Sequence, residues 1–276
     1  MNNDKQTDLI LAGEWMSAKI FSFNGKQLTE LKTGIEQYKG WWQTVTAADI
    51  DKDGDTDLLL GNLGENFYLQ TGNNKPVKLW MKDFDANDII DKMITRTYNA
   101  TDVPVFMKRE ITDQVPSLKK LNLKHQDFAK KTIQDLFGAG LKDAEQKEVN
   151  YASSCIAYND GKGNFSIKAL PWETQLSSIH AMKLIDVNND GYDDLITAGN
   201  FFNLLPQFCR LDASYGQVLL NNRKGEFVPV PATETGLNLF GQTRDIVSWN
   251  TAGNNYLLFL ENNATPVLYK LNAKQN

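Results

Sequence analysis

Residues 49–62 read Asp49-Ile-Asp-Lys-Asp-Gly-Asp-Thr-Asp57-Leu-Leu-Leu-Gly-Asn62, a nine-residue acidic loop followed at once by an apolar run. The loop recurs as Asp186-Val-Asn-Asn-Asp-Gly-Tyr-Asp-Asp194 and, in a third copy, as Asp83-Phe-Asp-Ala-Asn-Asp-Ile-Ile-Asp91. We name these segments loop A (49–57), loop B (83–91) and loop C (186–194), and we number the positions within each from 1 to 9. A motif repeated along one chain indicates a repeat protein.

The first residues read as a shortened fourth copy of the same loop. Asn2, Asp4 and Asp8 stand in register with the acidic positions of the other copies, ahead of the apolar run 9–13. Because the copy is incomplete and no signal peptide precedes it, we expect this chain to be the C-terminal piece of a longer precursor.

Short β-prone runs flank the acidic loops on both sides. Residues 43–48 and 180–185 precede loops A and C, and apolar runs typical of buried central strands follow them. Turns rich in Asn, Asp and Gly at 159–164 and 221–225 predict hairpins. One repeat is therefore strand, acidic loop, strand, connector, strand, turn, strand. Four antiparallel strands in about 40 to 50 residues are typical of a propeller blade.

The sequence thus predicts an all-β fold, with residues 1–276 forming a single β-propeller domain or a fragment of one. About five four-stranded blades are expected, the first and last incomplete, at 7–34, 41–81, 82–170, 179–230 and 240–272. The third blade carries a helical insertion at about 101–149. Within it, residues 127–137 predict one helix with Phe128, Ile133, Leu136 and Phe137 on one face, ending at Gly138.

Composition excludes several classes of protein. The chain has 29 Lys and Arg against 34 Asp and Glu, with no basic stripe, so a nucleic-acid partner is not expected. No run of 18 apolar residues occurs, so direct membrane insertion is not expected either. The two cysteines, Cys155 and Cys209, allow one disulfide or none.

The acidic loops have the donor spacing of a hard-cation site. Side-chain oxygens at positions 1, 3, 5 and 9 and the main-chain carbonyl at position 7 can converge on one ion, while Gly at position 6 permits the sharp turn. Ligands that are all oxygen favour calcium over zinc or copper. The sequence predicts two to three Ca²⁺ ions, held by Asp49, Asp51, Asp53, Asp55, Asp57, Asp83, Asp85, Asn87, Ile89, Asp91, Asp186, Asn188, Asp190, Tyr192 and Asp194.

Two alternatives to this interpretation concern the loops themselves. An EF-hand would need a bidentate Glu at position 12, where this chain has Leu60, Ile94 and Thr197. The loops could also be solvated acidic turns without metal. Loop B is the weakest of the three predicted sites, because Asp88 replaces Gly at position 6 and tolerates a left-handed conformation less well.

Strand direction predicts a second kind of site at the end of the strands opposite to the acidic loops. We call this the connector end, because the links between strands 2 and 3 and between blades meet there. Aromatic rings among Asn and Glu suit stacking on a glycan or anchoring of a surface protein. The candidates are Trp15, Trp41, Trp42, Asn62, Glu65, Asn66, Trp172, Asn200 and Phe201. The alternative is that these side chains only cover the core.

No catalytic residue is predicted. The sequence has no nucleophile elbow, zinc-protease motif, P-loop or dinucleotide-binding glycine pattern. Its two histidines, His125 and His180, are read as solvated and structural. The remaining enzymatic alternative is a carbohydrate-active enzyme that uses carboxylates of the connector end, namely Glu14, Glu65 and Glu173.

Several motifs together resemble the FG-GAP/VCBS repeat proteins, whose calcium loops also occur in integrin α-subunit propellers. They are Gly40-Trp41-Trp42, loop A, Gly61-Asn-Leu-Gly64, the Asp-Phe-Asp-Ala-Asn run 83–87 and Asp212-Ala-Ser-Tyr-Gly216, a combination similar to bacterial members common in Bacteroidetes. The resemblance covers nearly the whole chain. It implies a calcium-binding propeller that is extracellular or on a bacterial cell surface, with the rest of a larger parent chain as a possible partner. The glycan or surface-protein partner is expected from the aromatic residues of the connector end, not from the resemblance. The resemblance implies no known activity.

Overall fold

The computed structural model describes residues 1–2, 4 and 6–272. Its strands are β1 (Asp8–Leu11), β2 (Glu14–Ser17), β3 (Lys19–Phe23), β4 (Leu28–Glu30), β5 (Lys39–Trp41), β6 (Thr44–Ala48), β7 (Asp57–Gly61), β8 (Val77–Lys82), β9 (Asp91–Tyr98), β10 (Thr101–Pro104), β11 (Glu145–Val149), β12 (Cys155–Asn159), β13 (Phe165–Ala169), β14 (Ile179–Ile185), β15 (Asp194–Gly199), β16 (Gln217–Asn221), β17 (Phe227–Pro229), β18 (Thr243–Thr251), β19 (Asn254–Glu261) and β20 (Val267–Leu271). Its α-helices are α1 (Lys108–Gln114), α2 (Leu118–Leu121), α3 (His125–Phe128), α4 (Ile133–Phe137) and α5 (Ala232–Thr235).

The fold is mostly β, as the sequence predicts, and every described strand pair is antiparallel. Among the described residues no sheet closes on itself. The chain divides into two compact units, unit 1 formed by 1–68 and 152–276 and unit 2 formed by 69–151. No helix in the described part of the chain has both the length and the apolar character needed to cross a bilayer.

Unit 1 is a series of small sheets. Their strand orders are β1-β3-β4, β2-β5, β13-β12-β7-β6, β14-β15-β16-β17 and β18-β19-β20. The last three sheets stack face to face: Leu59 and Ile156 share an apolar core with Leu195, and Ile196 shares a second core with Phe259. The first strands of these sheets, β6, β14 and β18, lie side by side.

One strand pairing corrects the predicted blade boundaries. The sequence suggested that 57–61 and 155–159 belong to different blades, but β7 pairs directly with β12. Leu58, Leu59 and Leu60 of β7 are all fully buried, so the strand needs a neighbour on each side, and β12 supplies it although about 90 residues separate the two in sequence.

Unit 2 is larger than the predicted helical insertion at 101–149, because it includes a sheet of its own. This sheet has the order β10-β9-β8-β11 and carries loop B between β8 and β9. Four short helices, α1 to α4, pack on it through a core that contains Met93 and Ile111.

The single helix predicted over 127–137 is two helices, α3 and α4. Thr132 starts the second one. Its hydroxyl accepts a hydrogen bond from the Asp135 amide at 3.1 Å, and its own amide donates to the Asp135 carboxylate at 2.8 Å. The predicted apolar face is otherwise confirmed, because Phe128, Ile133 and Leu136 are buried, and α4 ends at Gly138.

Two Gly-Asn pairs join neighbouring sheets at the connector end of unit 1. A Cβ at Gly61 would lie 2.6 Å from the Ile179 carbonyl oxygen, so the backbones of β7 and β14 can approach only because residue 61 is Gly. A Cβ at Gly199, the equivalent last residue of β15, would likewise clash with the Ser178 carbonyl. The Asn that follows each Gly is fully buried.

These buried asparagines hold the connectors by hydrogen bonds. Asn62 Oδ1 accepts from the amides of Trp41 at 3.1 Å and Leu63 at 2.9 Å. Asn200 Oδ1 accepts from the Ser214 amide at 3.1 Å, and its Nδ2 donates to the Gly241 carbonyl at 3.0 Å. The sequence proposed both asparagines as ligand contacts, whereas here they serve the backbone.

Replacing Asn62 by Ala should therefore lower the free energy of unfolding by about 2 kcal/mol, since the buried Trp41 amide loses its side-chain acceptor. Asn66→Ala is the matched control, because Asn66 is exposed and the described hydrogen bond of its side chain, to the Leu176 carbonyl, is at the surface. Urea unfolding at fixed calcium concentration measures both. An Asn62 variant as stable as the Asn66 variant would contradict the assigned role.

Candidate metal centres

Each acidic loop is the turn of a β-hairpin. Loop A joins β6 to β7, loop B joins β8 to β9, and loop C joins β14 to β15. The three share a backbone in which positions 4 and 6 are left-handed. Their φ angles are 63° and 97° at Lys52 and Gly54, 59° and 66° at Ala86 and Asp88, and 59° and 86° at Asn189 and Gly191. Asp88 thus adopts the conformation that Gly adopts in loops A and C.

The three loops also share their internal hydrogen bonds. In each, the position 6 amide donates to the position 1 carboxylate: Gly54 to Asp49 at 3.1 Å, Asp88 to Asp83 at 2.8 Å, Gly191 to Asp186 at 2.8 Å. The position 7 amide donates to the position 5 side chain: Asp55 to Asp53 at 2.9 Å, Ile89 to Asn87 at 2.8 Å, Tyr192 to Asp190 at 2.9 Å. These bonds turn the oxygens of positions 1 and 5 toward the loop interior.

Position 9 is a buried aspartate in every copy: Asp57, Asp91 and Asp194. Each accepts a hydrogen bond from the position 2 amide of its own loop, at 3.1, 3.0 and 3.0 Å respectively. In unit 1 the other oxygen accepts from the next strand, Asp57 from the Asn159 amide at 2.8 Å and Asp194 from the Asn221 amide at 2.9 Å. The position 9 carboxylates are therefore fixed in place by the backbone.

Two of the loops bring three carboxylates together. Oxygens of Asp49, Asp51 and Asp57 all lie within 4.8 Å of one another, as do oxygens of Asp83, Asp85 and Asp91. Asp85 Oδ1 is buried and accepts no hydrogen bond from any described residue. In loop C position 3 is Asn188, so an amide oxygen replaces the third carboxylate. The donor sets consist of oxygen alone and fit a hard divalent cation.

Electrostatics favour a cation at these positions. Burial raises the pKa of Asp57 to about 6 and also raises the pKa values of Asp91 and Asp194. The pKa of Asp51 is raised by burial, with the charges of Asp53 and Asp49 adding to the effect. Without metal the loops hold like charges at close range in partly desolvated positions, and a divalent ion would compensate them.

The shortened N-terminal copy keeps part of the pattern, although residues 3 and 5 lie outside the described residues. The Gln6 amide donates to Asp4 Oδ1 at 2.8 Å, as position 7 donates to position 5 elsewhere. The α-amino group of Met1 lies 2.5 Å from Asp8 Oδ2, where the other loops place the position 2 amide. The predicted register of Asn2, Asp4 and Asp8 agrees with these contacts.

The connector-end candidates separate into buried and exposed groups. Trp41 and Trp42 are buried, and Trp41 makes edge contacts with the rings of Trp15 at 5.6 Å and Phe67 at 5.9 Å. This aromatic group is packed inside unit 1, as expected under the alternative that Trp41 and Trp42 only cover the core. Phe201 is half-buried and pairs with Leu211 through an isolated β-bridge.

Glu65, Asn66 and Trp172 are the exposed candidates, Trp172 with 67% of its surface accessible. Three further exposed aromatic residues, Tyr68, Tyr215 and Phe240, lie in segments that adjoin the same ends of the strands. Sequence analysis missed these three, since single aromatic residues in connectors carry no periodic pattern. The available signal was their position in the connectors: Tyr68 follows β7, Tyr215 precedes β16 and Phe240 precedes β18.

His180 and the cysteines bear on the remaining predictions. Burial, with the charge of Arg244 adding to it, lowers the pKa of His180 to about 3, so the imidazole is neutral at physiological pH. This agrees with the structural interpretation of His180.

Both cysteines are free thiols, Cys155 buried and Cys209 exposed. The sequence allowed one disulfide or none, and the structure has none between these two residues.

Comparison with known proteins supports the repeat interpretation for the start of the chain. Residues 1–60, which end just after loop A, match the family model described as FG-GAP-like repeat. No curated protein matches the chain. The N-terminal part of this protein is thus similar to FG-GAP-like repeats.

Proposed function

We propose that this protein is a calcium-binding β-propeller segment that acts as an extracellular interaction module. The observation that carries the proposal is the repeated loop geometry: three hairpin turns have the same left-handed positions and the same hydrogen bonds onto positions 1, 5 and 9. The FG-GAP-like match adds independent support.

Calcium is the ion that suits this donor set best. Each loop offers oxygens from positions 1, 3, 5 and 9 and a carbonyl at position 7, provided by Asp55, Ile89 or Tyr192. Calcium accepts six to eight oxygen ligands in flexible geometry, whereas magnesium demands a near-ideal octahedron. We assign one Ca²⁺ to each of the three loops, with a structural role that joins the two strands of each hairpin.

The propeller assignment rests on the sheets of unit 1. Three of them stack in chain order, with their first strands side by side, as the inner strands of consecutive blades do. The β1-β3-β4 and β18-β19-β20 sheets have three strands each and correspond to the incomplete first and last blades.

The exposed aromatics of unit 1 supply the proposed recognition surface. Trp172, Tyr215 and Phe240 lie at the connector end, and the rings of Tyr215 and Phe240 touch edge to face at 5.2 Å. Exposed aromatic rings next to Asn and Glu suit stacking on sugars or burial against a protein. We propose binding rather than catalysis, because the described acidic residues whose pKa values are raised belong to the cation loops.

Calcium at about 100 times its Kd should raise the melting temperature by about 5 to 10 °C over the chelator-treated protein, because only the folded loops bind it. Differential scanning calorimetry measures the shift, with magnesium at equal concentration as the control ion. The variant Asp49→Asn/Asp51→Asn, which removes two ligands of loop A, should lose part of the shift. Equal melting temperatures with calcium and with chelator would exclude calcium binding.

Acid should diminish the calcium effect. In the metal-free protein the pKa of Asp57 is about 6 when folded and close to the ordinary 3.8 when unfolded, so the folded state binds more protons between these values. The contribution of Asp57 to the free energy of unfolding of the metal-free protein therefore falls as pH rises from about 4 to about 6. Calcium requires the ionised carboxylate, so we expect a smaller calcium-induced melting shift at pH 5 than at pH 7. A shift that is equal or larger at pH 5 would contradict this linkage.

The recognition surface is tested by a glycan array and by pull-down of surface proteins with the calcium-loaded chain. Trp172→Ala should weaken binding at least about tenfold, as expected of an exposed aromatic anchor. Trp249→Ala is the matched control, since Trp249 is also exposed but lies near the other end of β18. If both variants bind like the unmodified protein, the surface lies elsewhere.

A further inference from the structure

Two equivalent turns of unit 1 differ at their second and third residues. Turn A (159–163) follows β12 and turn C (221–225) follows β16. Each begins with an Asn whose amide donates to the position 9 aspartate of the adjacent loop, Asn159 to Asp57 and Asn221 to Asp194. The side chain of each Asn then accepts the amide two residues later, at 3.2 Å in turn A and 2.9 Å in turn C. The residue donating that amide is Gly161 in turn A and Arg223 in turn C.

Arg223 occupies a backbone conformation that Gly adopts more easily. Its φ is 64°, against 72° at Gly161, and the left-handed region is unfavourable for a residue with a Cβ. Loop conformation alone gives no reason for an arginine here, because the equivalent turn forms with Gly. A side chain kept at an unfavourable φ points to a role for that side chain.

The Arg223 side chain contacts a predicted cation ligand. Its Nε donates to Asp190 Oδ2 at 3.1 Å, and Asp190 is position 5 of loop C. The carboxylate is largely shielded, with 15% of its side chain accessible, whereas the arginine side chain is 62% accessible and free to swing into solvent. In turn A the equivalent residue, Gly161, has no side chain to place beside the ligands of loop A.

Another cation near loop C behaves differently. Lys52 of loop A donates to the Gly191 carbonyl and lies over the Tyr192 ring, 4.1 Å from its centroid. Neither the position 6 carbonyl nor the ring is a proposed ligand atom. Lys224, next to Arg223 in turn C, is exposed and makes no described ion pair with loop C. Among the described residues, Arg223 is therefore the one whose positively charged side chain pairs with a predicted ligand of loop C.

We infer that Arg223 is an internal counter-cation that competes with the metal ion for Asp190, so that loop C binds calcium more weakly than loop A. The inference rests on the proposed calcium-binding function and adds a prediction to it, namely that the calcium affinity of loop C is lower than that of loop A. For an ion to take Asp190 Oδ2 the arginine must move away, and its positive charge must separate from a divalent ion. An exposed ion pair of this kind changes affinity modestly, by about threefold to tenfold.

The test isolates loop C in the full-length chain. Asp49→Asn/Asp51→Asn and Asp83→Asn/Asp85→Asn together disable loops A and B, and calcium binding is followed by isothermal titration calorimetry. In this background Arg223→Gly copies turn A, while Arg223→Gln removes the charge but keeps a side chain. Lys224→Ala is the control for loss of a positive charge from the same turn. Circular dichroism establishes that each variant is folded.

Both Arg223 variants should bind calcium about threefold to tenfold more tightly than the background protein, and Lys224→Ala should change the Kd less than twofold. An unchanged or weaker affinity in both Arg223 variants would overturn the inference, as would an equal gain in Lys224→Ala. Absence of calcium binding at loop C in every variant, with loop A of the unmodified protein binding normally, would also overturn it. Absence of calcium heat even in the unmodified protein would instead reject the proposed function itself.

Discussion

The aspartate that ends each acidic loop is the contact on which the rest of the structure depends. In unit 1, Asp57 and Asp194 accept one amide from their own loop and one from the strand that pairs next to it. A single buried carboxylate thus fixes the hairpin turn and the start of the following turn. Its burial disfavours the charged form, and a cation in the loop would remove that penalty. Binding of a metal ion would therefore be coupled to strand pairing through one side chain.

Much of this could be predicted from the sequence because the relevant signals are local. The spacing of Asp and Gly in loops A and C specified hairpin turns, and the structure has them, with carboxylate oxygens that converge in loop A. Asn159 and Asn221 were seen only as turn residues, since their bonds to Asp57 and Asp194 join segments 102 and 27 residues apart. The β7–β12 pairing escaped prediction for the same reason. An 83-residue unit stands between the two strands, and nothing in either strand's pattern specifies such a separation.

The predicted connector end shows how burial divides residues that look alike in sequence. Trp41 and Trp172 are both tryptophans next to polar residues, yet one is enclosed by aromatic neighbours and the other is exposed. Asn62 and Asn66 differ in the same way, one buried among amides and one at the surface. Local composition cannot distinguish them, because the difference arises from how adjacent sheets approach at Gly61 and Gly199. The proposed interaction surface thus consists of the side chains that remain exposed where the sheets are joined.

A crystal structure determined with saturating calcium tests the central claim most directly. We predict an ion in loop A bound by Asp49, Asp51, Asp53, the Asp55 carbonyl and Asp57, at the oxygen distances of about 2.3 to 2.6 Å that calcium adopts. The amides of Ile50 and Asn159 should still donate to Asp57 in that structure. Density that refines only as water hydrogen-bonded to the carboxylates, at saturating calcium, would contradict the account.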